Sequence, residues 1–183
     1  MTEDKTELGR IISSISTQSL PPVHDWRPES TRDIDIRIAR NGDWFYEGSH
    51  IQRSRMVKLF SSVLRVDDDA CTYLVTPHER LRITVEDAPF VAVTVERHGA
   101  PKASTLVFTT NVGDQVIADA EHPVHVEYPG VDGEPSPYVL VRGKLRALLS
   151  RVVFYQLAEW AEERGGILGV ESSGVFMPLS EPD

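Results

Sequence analysis

Cysteine is almost missing from this chain: Cys71 is the single one. No disulfide can close within it, and a reducing compartment is expected. There is no apolar run approaching the roughly 18 residues of a membrane-crossing helix. The start, with Glu3, Asp4 and Glu7, lacks the cationic head of a secretion signal. A cytoplasmic protein is therefore expected. Positive charge is scarce, with 19 Lys and Arg against 28 Asp and Glu, a net charge of −9 and a pI near 5.1. Nucleic acid and anionic membrane are not expected as partners, because both select a net basic face. A local basic pocket stays open. The patterns G-x-x-x-x-G-K-[ST], G-x-G-x-x-G and G-x-S-x-G are all absent, which leaves phosphate-loop, dinucleotide-fold and α/β-hydrolase readings unsupported. No cofactor is expected.

What is present suffices for a core: 183 residues, 40% of them hydrophobic, make one medium domain or two small ones. Leu8, Ile11, Ile12 and Ile15 fall at helical spacing, which predicts a short amphipathic helix over 6–18. Pro21, Pro22 and Pro28 make an irregular lead-in. From Asp33 the chain alternates, with Ile34, Ile36 and Ile38 on one face of a half-buried strand. Asn41-Gly42 reads as the centre of a type I′ turn. That register sets Ile38 opposite Phe45 and Arg37 opposite Tyr46, so Phe45 joins the core while Trp44 and Tyr46 face the other side. Gly48-Ser49 then ends the strand and caps a helix of about 14 residues. Its apolar stripe is Ile51, Met56, Val57, Leu59, Phe60, Val63 and Leu64.

Strands are predicted at Thr72–Thr76, Leu81–Val85, Phe90–Glu96, Thr105–Thr110, Gln115–Asp119, Val124–Glu127 and Tyr138–Arg142, with turns such as Pro129-Gly130 between them. A final helix is expected from Leu145 to Arg164, burying Leu148, Leu149, Val152, Phe154, Tyr155, Leu157 and Trp160 and stopped by Gly165-Gly166. Glu86-Asp87-Ala88-Pro89 reads as the seam between two units. Ser54-Arg55-Met56-Val57 and Ser150-Arg151-Val152-Val153 echo one another, each after a strand that ends in glycine.

The run Gly42-Asp43-Trp44-Phe45-Tyr46-Glu47-Gly48, with Ile51, Arg53 and Val57-Lys58-Leu59-Phe60, is followed by Leu74-Val75-Thr76-Pro77, Glu79 and Val85-Glu86-Asp87-Ala88-Pro89-Phe90. This combination resembles the bacterial DUF1285 family of uncharacterised proteins, from about Pro21 to the C-terminal tail. The resemblance implies an α+β fold of duplicated strand-helix units, whose C-terminal half is similar to a pleckstrin-homology-like sheet capped by a long helix. The expected division is an N-terminal helix or tail over 1–20, an α+β unit over 21–88 and a pleckstrin-homology-like unit over 89–183. It also implies a ligand site, nucleotide-based, at the interface of the halves, a role in signal transduction, and no catalytic residues. By motif it points to Trp44, Arg53, Lys58, Thr76, Glu79 and Asp87, with Thr110, Asn111 and Asp114 in the second half. Two departures stand out: Ala70 and Cys71 where a glycine is expected, and Glu171 where an aromatic is expected.

Arg53, Arg55 and Lys58 lie at the start of the first helix, where cations oppose the macrodipole and call for compensation. A phosphate or carboxylate ligand supplies it through helix amides and a bidentate guanidinium. The plainer alternative pairs Arg53 and Arg55 with Glu47, Glu86 or Asp87. On one helix Arg53 and Arg55 point about 200° apart, so Arg53 is the anion clamp of choice and Arg55 is assigned to structure. Trp44 or Tyr46 offers a stacking face for a base, and Thr76, Glu79 and Asn111 orient polar groups. His78 and Glu79 resemble an acid-base pair but lack a nucleophile, a metal or a visible pocket. His122 and His125 fall on opposite faces of a strand, against a metal site. The expected function is a non-enzymatic sensor of an anionic, nucleotide-like small molecule. The alternatives are an adaptor for a protein partner and, behind it, a hydrolase.

Overall fold

The computed structural model describes residues 20–100, 103–129 and 133–181. The helix expected over 6–18 and the Gly130 half of the Pro129-Gly130 turn lie outside the described residues. Strand accounts for 48% of the described residues and helix for 12%. That overturns the expected balance of an α+β fold, because much of what looked helical by apolar spacing is strand. Contacts divide the chain into Met1–Pro89 and Phe90–Asp183.

The first unit contains β1 (Ser30–Ile38), β2 (Trp44–Tyr46), β3 (Ser49–His50), α1 (Ser54–Ser61), β4 (Leu64–Val66), β5 (Thr72–Val75) and β6 (Glu79–Val85). Its single sheet has the order β3-β2-β1-β6-β5-β4. Two antiparallel three-strand meanders thus meet along a parallel β1/β6 seam. Ile36, Ile38, Trp44, Leu74, Leu81 and Ile83 share the inner face, which Phe60 of α1 covers. The opposite face carries Arg37, Arg80 and Arg82, as strand alternation requires.

The first hairpin departs from expectation by one residue. Ala39 N–H donates to Asp43 O and Gly42 N–H to Ala39 O, so Arg40-Asn41-Gly42 form a three-residue loop with Gly42 at φ 92°. This is a type I turn closed by a left-handed glycine. Asn41 supports it, accepting from the Asp43 amide at 3.0 Å. Ile38 therefore pairs with Trp44 and Arg37 with Phe45. A one-residue slip turns every side chain over: Trp44 is in the core, while Phe45 lies outside, 4.2 Å beneath the Arg37 guanidinium. The two-residue turn with both φ positive falls one hairpin later, at Glu47 (φ 48°) and Gly48 (φ 77°) between β2 and β3. Ser49 consequently sits in a strand and caps nothing. The helix is shorter than expected, eight residues from Ser54, with Arg53 as its N-cap.

The second unit contains β7 (Phe90–His98), β8 (Thr105–Thr110), β9 (Gln115–Ile117), β10 (Val124–Glu127), β11 (Ser136–Arg142), β12 (Leu145–Leu149), α2 (Arg151–Trp160), β13 (Glu162–Arg164), β14 (Ile167–Ser172) and β15 (Val175–Pro178). Its large sheet runs β10-β11-β12-β7-β8-β9, with a parallel β12/β7 seam. That is the strand order of the first unit again. β13-β14-β15 form a separate sheet, tied to the large one through Ser172, whose hydroxyl donates to Ala118 O at 2.6 Å and accepts from Leu106 N at 2.8 Å.

Among the described residues no long helix caps this unit, which corrects the pleckstrin-homology-like expectation. Leu145, Ala147 and Leu149 are buried at every second position, a strand period that apolar content alone disguised. The helix starts only where the Ser150 hydroxyl accepts from Val153 N, and it buries Val153 and Leu157 rather than Val152 and Tyr155. Gly165-Gly166 belong to the β13–β14 turn. The two helices also hold different places relative to the large sheets: α1 joins the two meanders of its sheet, whereas α2 follows the second meander of its own.

Candidate functional site

Most cations of the described chain are committed. Arg32 binds Glu79, Arg40 binds Asp87, Arg82 binds Asp33, Arg142 binds Asp114 and Arg164 binds Glu171. Arg37 binds Glu86, and Arg146 binds Glu127. Arg27 reaches backbone carbonyls, and Arg97 lies over the Trp160 ring.

Arg65, Asp67 and Arg80 make a half-buried relay beside Tyr73. Asp67 accepts from both arginines, and Arg65 reaches the carbonyls of Val23 and Trp26 at 2.6 and 3.0 Å. The relay thus ties the lead-in to the sheet. The Arg65 hydrogen bond, ahead of that from Arg80, holds the Asp67 carboxyl below its ordinary pKa. Tyr73 donates to Asp69 at 2.7 Å, which pushes the phenol up to about 12. Sequence reasoning passed this network over. The available signal was the Arg80/Arg82 spacing of two, which puts like charges on one face of β6, close behind the acidic turn Asp67-Asp68-Asp69.

Arg53, Arg55 and Lys58 differ from the rest. None has a carboxylate, carbonyl or ring partner among the described residues, and all three are exposed. The alternative pairing with Glu86 and Asp87 is not formed, since Arg37 and Arg40 already occupy those acids. Arg53, as N-cap, has extended backbone with φ −79° and ψ 101°, so the 200° argument for helical positions does not apply to it. Arg55 returns to the candidate site for the same reason that Arg53 is in it: its charge is unmatched. Arg55 and Lys58 are three apart on α1 and adjoin. No acid occupies the first helical turn and no side chain caps it. The first accepted bonds, from Met56 and Val57 to Arg53 O, leave the amides of Ser54 and Arg55 without an intrahelical partner. Arg53 and Arg55 beside the open amides, with Lys58 further along in the last turn of α1, can coordinate an oxyanion.

The other expected site residues have different surroundings. Trp44 is 1% exposed and stacks on Phe60 at 6.2 Å, so its ring faces protein. Its Nε1 has no hydrogen-bond partner among the described residues. Tyr46 is half-buried on the same sheet face. The Thr76 hydroxyl accepts from Glu79 N and donates to Glu79 O, both at 3.1 Å, and the Glu79 carboxylate is bound by Arg32 at 2.8 Å. These two residues build the β5–β6 turn, where His78 is exposed. Asn111 belongs to the second unit, where it exchanges hydrogen bonds with the Val91 backbone. Thr110 accepts from the Asp114 amide at the same corner. Asp87 is the Arg40 partner. His122 is 3.0 Å from Asp119, and the His125 ring stacks on Tyr138.

Comparison with known proteins gives consistent matches. The family described as "Domain of unknown function (DUF1285), N-terminal domain" matches residues 21–88, and "Protein of unknown function (DUF1285), C-terminal domain" matches residues 89–179. The crystal structure of a DUF1285 family protein from Silicibacter pomeroyi DSS-3 is 46% identical, with TM-score 0.88 over 94% of this chain and 93% of that one. A second, from Shewanella baltica OS155, is 30% identical, with TM-score 0.53 over 68% of this chain and 91% of that one. No curated protein matches. No helix among the described residues is long and apolar enough to cross a membrane.

Proposed function

The chain belongs to the DUF1285 family, whose two domains are described as of unknown function, and we propose that it is a non-enzymatic cytoplasmic protein that binds an anionic small molecule. The single observation that supports this is the charge of Arg53, Arg55 and Lys58, unmatched among the described residues, in a protein with net charge −9. Where acids are abundant and nearly every other arginine has one, two arginines at an uncapped helix start and a lysine in that helix's last turn, all without a partner among the described residues, are best explained by a ligand that brings the missing negative charge. Arg53 clamps the oxyanion, Arg55 and Lys58 add charge, and the Ser54 and Arg55 amides donate to it. The ligand is of nucleotide-like chemistry, a phosphate carried on a flat group that rests beside Tyr46, and its binding serves signal transduction.

Thermal-shift screening of nucleoside mono- and diphosphates and cyclic dinucleotides tests this. A ligand present at 100 times its dissociation constant stabilises the protein by about 2.7 kcal/mol, a shift of several degrees. The shift is expected with wild type and lost with Arg53→Ala or with Arg55→Ala/Lys58→Ala. No shift with any of these anions rejects the proposal, and equal shifts in wild type and variants reject the residue assignment.

A further inference from the structure

Helix α2 leaves a face uncovered that is complementary to itself. Val152 is 73% exposed and Tyr155 60%, and Arg151, Ala158 and Glu159 are exposed as well. At 100° per residue these five fall within an arc of about 120° centred near Tyr155, opposite the buried Val153 and Leu157. The charges at its ends are placed against the helix's own interest. Arg151 sits at the N-terminus and Glu159 near the C-terminus, the reverse of what the macrodipole favours. Neither is matched locally: Arg151 approaches only Glu134, at 3.9 Å with both side chains in solvent, and Glu159 has no partner among the described residues.

We propose that two copies of this chain associate through α2, the helices antiparallel about a two-fold axis at Tyr155. Tyr155 lies midway between Arg151 and Glu159, so antiparallel pairing sets Arg151 against Glu159 of the second copy, twice. It also sets Val152 against Ala158, large against small, and Tyr155 against its own counterpart. The same patch serves both copies, as a two-fold interface requires. The misplaced end charges then meet opposite charge, and the exposed apolar side chains leave water. A ten-residue helix is about 15 Å long and covers less than the roughly 800 Å² per partner of a standard interface. The association is therefore weak and concentration-dependent.

Sedimentation equilibrium of the full chain over about a hundredfold concentration range tests this, the window in which a weak dimer passes from mostly dissociated to mostly formed. Wild type dimerises. Arg151→Glu and Glu159→Lys each place like charges opposite one another and weaken the dimer by about tenfold or more. The double variant Arg151→Glu/Glu159→Lys restores it, and the two single variants, mixed, pair with each other. All of these side chains are exposed, so a folding defect is not the expected consequence, and restoration by the double variant excludes one. A protein that is monomeric at every concentration overturns the proposal. So does a dimer that the single variants leave intact or that the double variant fails to restore.

Discussion

Replacing Trp44 and Phe45 one at a time tests the register of the first hairpin, on which the inner face of the first unit depends. Trp44 is 1% exposed and packed on Phe60, so Trp44→Ala removes a large buried ring and leaves a cavity, at a cost of about 3–5 kcal/mol. Phe45 lies on the outer face under Arg37 and beside His50. Phe45→Ala loses one partly solvated cation–π contact and some cross-strand packing, about 1 kcal/mol. Trp44→Phe separates two effects at one site. It opens a void of roughly 40 Å³, worth about 1 kcal/mol. It also removes the indole N–H that has no partner among the described residues, relieving a buried donor that costs about 1–3 kcal/mol. The net change is expected within about 1 kcal/mol of zero. Urea unfolding followed by far-UV circular dichroism reads all three. With a slope near 1.5 kcal/mol per molar urea, Trp44→Ala lowers the midpoint by roughly 2–3 M and Phe45→Ala by less than about 1 M. A larger loss at Phe45 than at Trp44 refutes the register and restores the turn centred on Asn41-Gly42.

Three further outcomes follow from named contacts. Asp67→Asn breaks the Arg65–Asp67–Arg80 relay and costs about 2 kcal/mol; because the Asp67 pKa is lowered in the fold, the wild-type relay contributes fully above the unfolded value near 4 and is lost as pH falls through the folded one, so acid unfolding of wild type and variant converges at low pH. Tyr73, raised from 10.0 to about 12, has the opposite sign: its contribution is intact below pH 10 and disappears as pH rises toward 12, which ultraviolet titration of Tyr73→Phe against wild type measures. In the Glu47-Gly48 turn, Gly48→Ala costs about 1–2 kcal/mol through backbone conformation alone, since an added Cβ meets nothing within 4 Å. Glu47→Asn there gains about 0.5 kcal/mol because asparagine tolerates positive φ, and calorimetry distinguishes the two signs.

What was legible in the sequence was local. Alternation marked β1 and much of β6–β11, since Ile36, Ile38, Leu81 and Ile83 announce a buried sheet face without help from distant residues. Register was not legible. Asn41-Gly42 suits both a two-residue loop and the second half of a three-residue one, and only the Ala39–Asp43 pairing decides between them. Leu145 to Trp160 misled for a related reason: a buried strand running straight into a helix has apolar residues at both periods, and the Ser150 cap that divides them is one residue long. The candidate site was half legible. Cations at a helix start are visible in sequence, but whether they lack partners depends on where Glu86 and Asp87 point, and Arg37 and Arg40 hold those acids from another strand and its turn.

The proposal of an anion site on α1 is tested most directly by amide chemical shifts. Isotope-labelled protein titrated with a nucleoside diphosphate at moderate salt is expected to show saturable shifts of the Ser54 and Arg55 amides, abolished by Arg55→Ala/Lys58→Ala. Saturable shifts confined to other residues, or no shift at Ser54 and Arg55 up to millimolar ligand, would contradict it.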